Sequence, residues 1–149
     1  MIGFLSRASS LVVLLFAALL LAACSSGQDL TLAETEVAHF HQQMAAQQFA
    51  EIYAQATDDL KKTTAEDKLT RLLSAIDRKL GAVKSSDRTS WGVNFNTSGT
   101  TVTLKFKTTF ERGTGDENFV YRIVGGKAVL AGYHINSDDL ITNSDGARI

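Results

Sequence analysis

At Gly81 the spacing of the apolar residues changes from steps of three and four to steps of two. Before it, Leu69, Leu72, Leu73, Ile76 and Leu80 recur at intervals that put them on one face of a helix. After it, Val102, Leu104, Phe106, Thr108 and Phe110 alternate with Thr103, Lys105 and Lys107. That is the pattern of a strand with one buried and one wet face. Helices kept apart from hairpin-linked strands make an α+β fold.

The helical half reads as three pieces. Residues from about Asp29 to Ala46 suit a first helix, with Val37, Phe40 and Met44 on one stripe and Glu34 and Glu36 toward its N-terminal half. The stripe slips by a step of five between Met44 and Phe49, so "AAQQ" reads as a break before a short helix over 48–56. One long kinked helix is the alternative. Thr64, with Asp67 three residues on, is the expected N-cap of the third helix, and Gly81 is its stop.

The strand half reads as four pieces. "WGVNFN" leads through the turn "NTSG" into "TVTLKFKTTFE". "RGTGD" makes a longer turn into "ENFVYRIV", where Phe119 and Tyr121 alternate with Val120 and Arg122. Gly125-Gly126 marks a tight hairpin, because both residues accept positive φ. In "KAVLAGYHIN", Val129, Ala131, Tyr133 and Ile135 are expected on one face and His134 on the other.

This order resembles the cystatin-like and nuclear-transport-factor-like cone folds over roughly residues 30–141. It is similar in particular to a group of uncharacterised bacterial lipoproteins of that shape. The resemblance implies two or three N-terminal helices packed on a curved four-stranded antiparallel sheet. It carries no catalytic motif. Some members of the superfamily are enzymes that use a Tyr and acidic residues inside the cone, and many others only bind or scaffold.

The N-terminus points to an address. Arg7 precedes "LVVLLFAALLLAA", 13 apolar residues ending at Ala23, and polar "CSSGQD" follows. A basic start, a short apolar centre and small residues before a cut site make a secretory signal peptide. Crossing a membrane takes about 20 such residues. Leu21-Ala22-Ala23-Cys24 resembles the lipobox of bacterial lipoproteins. In that family the peptidase cuts before the cysteine, whose thiol then takes a diacylglyceryl group and whose new amine is acylated. Ser25 stands where Asp resembles an inner-membrane retention signal, so the expected location is the cell envelope, on the outer membrane facing the periplasm. The resulting organisation is a signal peptide over 1–23, a lipidated tether over 24–29, one domain over 30–141 and a tail over 142–149.

Cys24 is the only cysteine. Once it carries lipid, the mature chain has no disulfide, thiolate metal site or cysteine nucleophile. Residues 24–149 number 126, enough for one domain with its own core. Arg7 is the only charged residue before Cys24, so 14 of the 15 basic residues and all 16 acidic ones fall in that stretch. With no basic stripe, nucleic acid is not an expected partner. Proline is absent, so Gly, Asn, Asp and Ser must make the turns.

Motifs for chemistry are sparse. His39 and His41 point about 200° apart on a helix and cannot share a metal. No nucleophile motif and no phosphate loop leading into a helix is present, so catalytic residues, cofactor and metal are all expected to be none. Asp116-Glu117 and Asp138-Asp139 read as exposed turn acids beside the reading as an acid–base pair. Glu51 near Tyr53 is a further acid of interest. If the cone has a polar interior, Tyr53, Trp91, Tyr121 and His134 are the candidate lining; otherwise these aromatics fill the core. Trp91 on an exposed sheet face would instead favour a homodimer through the sheet. The expected function is a lipid-anchored, non-catalytic binding or scaffolding module for a protein partner or a small apolar ligand. The alternative is a small cone-pocket enzyme of isomerase, dehydratase or hydrolase type.

Overall fold

The computed structural model describes residues 27–142. The signal segment, Cys24 and residues 143–149 of the expected tail lie outside the described residues; Thr142, expected to open the tail, ends the last helix. Helix α1 covers 27–45, so the last three residues expected in the tether are helical. Its buried stripe is Ala33, Val37, Phe40 and Met44. It ends where the stripe slips: Gln47 takes a left-handed φ of 57°, and the Gln48 amide donates back to the Gln43 carbonyl at 2.9 Å. The break is real, and α2 (Phe49–Gln55) follows it.

Two points in the helical half differ from expectation. Thr57 caps an unanticipated helix, α3 (Asp58–Thr63), by accepting the Leu60 amide at 3.3 Å. Thr64 closes α3, and Ala65 is the N-cap of α4 (Glu66–Leu80), with no side-chain cap. Acids in the first turn of α4 and Arg78 and Lys79 in its last turn complement the helix dipole. Leu69, Leu73, Ile76 and Leu80 are buried, whereas Leu72 faces outward at 37% exposure.

Gly81 stops α4 at φ 78°, ψ −162°, a region that is essentially glycine-only. An added Cβ would stand 2.5 Å from Glu111 Oε2. Gly81→Ala should therefore lower stability by about 1–3 kcal/mol, read as a shift of the urea midpoint at unchanged slope.

The sheet is an antiparallel meander in the order β1 (Val83–Asn96), β2 (Gly99–Phe110), β3 (Gly113–Val124) and β4 (Lys127–Asn136). Cross-strand partners share a face. One row facing the helices is Trp91, Leu104, Phe119 and Tyr133; the next, toward the β2–β3 turn, is Arg88, Phe106, Glu117 and Ile135. Gly125 and Gly126, at φ 56° and 75°, make the tight β3–β4 turn as expected. The turn at "RGTGD" is tighter than expected, with Phe110 paired directly to Gly113.

β4 does not keep one alternation. Gly132 opposes Val120 and Leu130 opposes Tyr121, so Ala131 is an extra residue, a bulge. Ala128 and Leu130 before it, and Tyr133 and Ile135 after it, are the residues that face the helices. The expected set with Val129 and Ala131 is corrected accordingly. Helix α5 (Asp138–Thr142) closes the β2–β3 end, where Asp139 accepts the Thr114 amide at 2.9 Å.

The fold is α+β, with a four-stranded curved antiparallel sheet packed against helices. The Thr57 amide donates to the Leu130 carbonyl at 2.9 Å and ties the α2–α3 corner to the β4 edge. α1 runs along the inner face. Its Met44 and Ala45 line a cavity with Val83 and Phe110, its His41 meets Glu117, and its Glu36 is near enough to act on Tyr121. Residue 27 therefore lies toward the end that carries the β1–β2 and β3–β4 turns.

Candidate functional site

Period-two alternation puts Glu117, Phe119 and Tyr121 on the same face of β3, and that face is the inner one. Glu117 is 2% exposed. It was expected to be an exposed turn acid; the structure makes it the most buried charged residue described. Asp116, its neighbour, points outward and pairs with Lys107 at 3.4 Å.

Three groups converge on Glu117. Its Oε2 accepts from Thr108 Oγ1 at 2.6 Å and lies 2.9 Å from His41 Nε2. Its Oε1 accepts from Tyr133 Oη at 2.7 Å. A carboxylate can only accept, so the imidazole donates through Nε2 in this arrangement. Thr108 in turn meets Ser86 Oγ at 2.9 Å. Burial of a carboxyl is tolerable only when it is paired and hydrogen-bonded, and here both oxygens are.

Aromatic rings wall the cluster. The Phe40 ring lies 4.8 Å from Tyr133 and 5.2 Å from Phe119, and the His41 ring lies 5.8 Å from Phe119. Burial, reinforced by the Glu117 charge and the hydrogen bond to it, pushes the Tyr133 hydroxyl well above the usual tyrosine range. Burial does the same to Tyr121, with Glu36 and then Glu117 adding to it.

Both tyrosines stay protonated in the folded chain beyond the point, about pH 10, where the unfolded chain releases the protons. Above that pH the unfolded state binds fewer protons than the folded one, so stability falls as pH rises. The slope is about 1.4 kcal/mol per pH unit for each tyrosine. Urea midpoints taken on either side of about pH 10 should fall on the alkaline side. A flat profile would contradict two buried, protonated hydroxyls.

A histidine beside a carboxylate can move protons. Here the space next to the pair is a cavity of about 10 Å³, lined by His41, Met44, Asp77, Gly81, Phe110 and Glu117 among others. That holds about one water, whereas small-molecule sites run to about 300 Å³ or more. A second space, an open groove of about 380 Å³, is lined by Lys105, Phe106, Glu117, Asn118, His134 and Asn136 among others. Asn118 Oδ1 is buried without a hydrogen-bond partner.

The four residues expected to line a pocket do not meet. Tyr121 lies inside, two residues from Phe119. Tyr53 stitches α2 to the α3–α4 junction, donating to the Thr64 carbonyl at 3.1 Å. Trp91 is on the inner face at the β1 edge, 54% exposed. His134 is exposed on the outer face, opposite Tyr133 as expected. Glu51 is exposed on α2. His39 faces solvent beside Glu36, so the two helical histidines do diverge. Among the described residues no group of three or more His, Cys, Asp or Glu is placed to hold a metal. His41, Thr108 and Ser86 were missed. The signal for Glu117 was present, since it shares the alternation of Phe119 and Tyr121.

Comparison with protein-family models and with curated protein sequences returned no match.

Proposed function

We propose that this chain is a lipid-anchored cell-envelope protein whose domain binds or scaffolds rather than catalyses. The anchor reading rests on Leu21-Ala22-Ala23-Cys24 directly after an apolar stretch too short to span. Among the described residues no helix is long and apolar enough to cross a membrane. Ser25 favours the outer membrane, facing the periplasm. The helix-on-sheet architecture supports the cystatin-like, cone-type reading of the domain.

The observation that carries the non-catalytic reading is the closed Glu117 cluster. The His41–Glu117 pair is engaged with Thr108 and Tyr133, and the cavity that both residues line admits about one water. A pocket enzyme is the second reading, and the His41–Glu117 contact at 2.9 Å is what favours it. Through the small cavity beside His41 it requires α1 to lift from the sheet; the open groove that Glu117 also lines is the other approach. The partners implied are the membrane through Cys24, and a protein or small apolar ligand; a second copy paired through the sheet is the competing occupant of its exposed end.

Labelling with a fatty-acid analogue in cells tests the anchor. The unaltered chain should incorporate label, and Cys24→Ala should lose it and persist as the unprocessed precursor. Equal labelling of the two would defeat the assignment.

A further inference from the structure

The uncovered part of the inner face lies at one end of the sheet. Trp91 and Phe95 are cross-strand partners of Leu104 and Thr100 and so share their face, yet they are 54% and 59% exposed. Val93, between them, is partly buried against the core. Val124, 53% exposed, stands beside the β3–β4 turn at the same end, on the outer face. From Ser90 to Thr103 the chain carries no charged residue, the stretch that forms this end of β1, its turn and the start of β2.

α1 points its N-terminal end the same way. The three peptide steps from Cys24 to Gly27 reach at most about 11 Å. An acyl-bearing Cys24 would therefore hold this end of the sheet against the bilayer. Trp and Phe favour the membrane–water interface, and no charged side chain between Ser90 and Thr103 has to leave water there. Lys127, at the β3–β4 turn, places a cation near the anionic headgroups.

We infer that the β1–β2 end of the sheet, with Trp91 and Phe95 as its wedge, is a second membrane contact that docks the domain on the bilayer surface. The inference rests on the lipid-anchor reading of Cys24. The membrane is favoured over a second copy because the tether length presents this end to lipid first.

Trp91 is the only tryptophan, so its fluorescence reports this surface alone. The full chain, purified from membranes, is reconstituted in phosphatidylethanolamine–phosphatidylglycerol vesicles with and without brominated acyl chains. Flotation is scored on the same samples. The expected result is a chain that floats, with blue-shifted emission, most of which is lost to bromolipid. Phe95→Asp should still float, with unchanged circular dichroism, but lose both the shift and the quenching. A floating chain with hydrated, unquenched emission overturns the docking and leaves the anchor standing. Blue-shifted but unquenched emission assigns the surface to a second copy and also overturns it. Quenching that survives Phe95→Asp overturns the role of this patch. A chain that does not float overturns the anchor reading, and the docking falls with it.

Discussion

Replacing Glu117 with alanine should cost the domain about 3–5 kcal/mol. The substitution removes the acceptor for His41, Thr108 and Tyr133 at once and leaves a cavity beneath α1. Thr108 keeps Ser86, but Tyr133 and His41 are left as partly buried donors facing apolar rings. Glu117→Gln keeps the shape and one carbonyl acceptor. It should cost less, about 1–2 kcal/mol, because its amide donates where three donors already point. Urea unfolding of the two variants at one pH separates these outcomes. Catalytic acids are commonly held at the expense of stability, so their removal tends to stabilise. A rise in the midpoint on Glu117→Ala would therefore move the cluster from architecture to chemistry and favour the enzyme reading.

The second large effect is expected at Phe119. Its ring is fully buried and packs against Phe40, His41, Phe106, Tyr121 and Tyr133, joining α1 to three strands. Phe119→Ala should cost about 3–5 kcal/mol, from lost transfer energy and the void left between helix and sheet. Phe95 is the matched comparison. It is also a phenylalanine on the inner face, but it is 59% exposed, and Phe95→Ala should change stability by no more than about 0.5 kcal/mol. Equal effects at the two positions would contradict the boundary drawn here between covered core and open end. That boundary is what makes the Trp91–Phe95 surface available to something outside the domain.

Much of the architecture was legible because it rests on local spacing. The leucine stripe of α4, the glycine stop at 81 and the Gly125-Gly126 hairpin each depend on residues a few positions apart. The misses have a different cause. Ala131 bulges because β4 changes register against β3, and nothing within "KAVLAGYHIN" records the partner strand. Thr57 was not recognised as a cap because α3 is a six-residue helix lacking an amphipathic stripe. Leu72 lies on the edge of its stripe, and only the width of the covering layer decides that it faces water.

The candidate site was less legible than the fold. Tyr53, Trp91, Tyr121 and His134 were grouped by residue type, and the structure distributes them over a helix junction, a sheet edge, the core and the outer face. Glu117 was readable from its alternation with Phe119 and Tyr121. An acid beside Asp116 and a turn looks like a solvated pair, and its partner His41 is 76 residues away in the chain. Long-range pairing of that kind leaves no mark in a single sequence.

On the proposed reading, Cys24 holds the α+β domain at a bilayer. The mass of the mature chain extracted from membranes tests it most directly. A polypeptide that begins at Cys24 and carries a diacylglyceryl group on Sγ and an acyl group on its new amine is the expected result. A mature chain that begins elsewhere, or that begins at Cys24 with a free thiol, would contradict it.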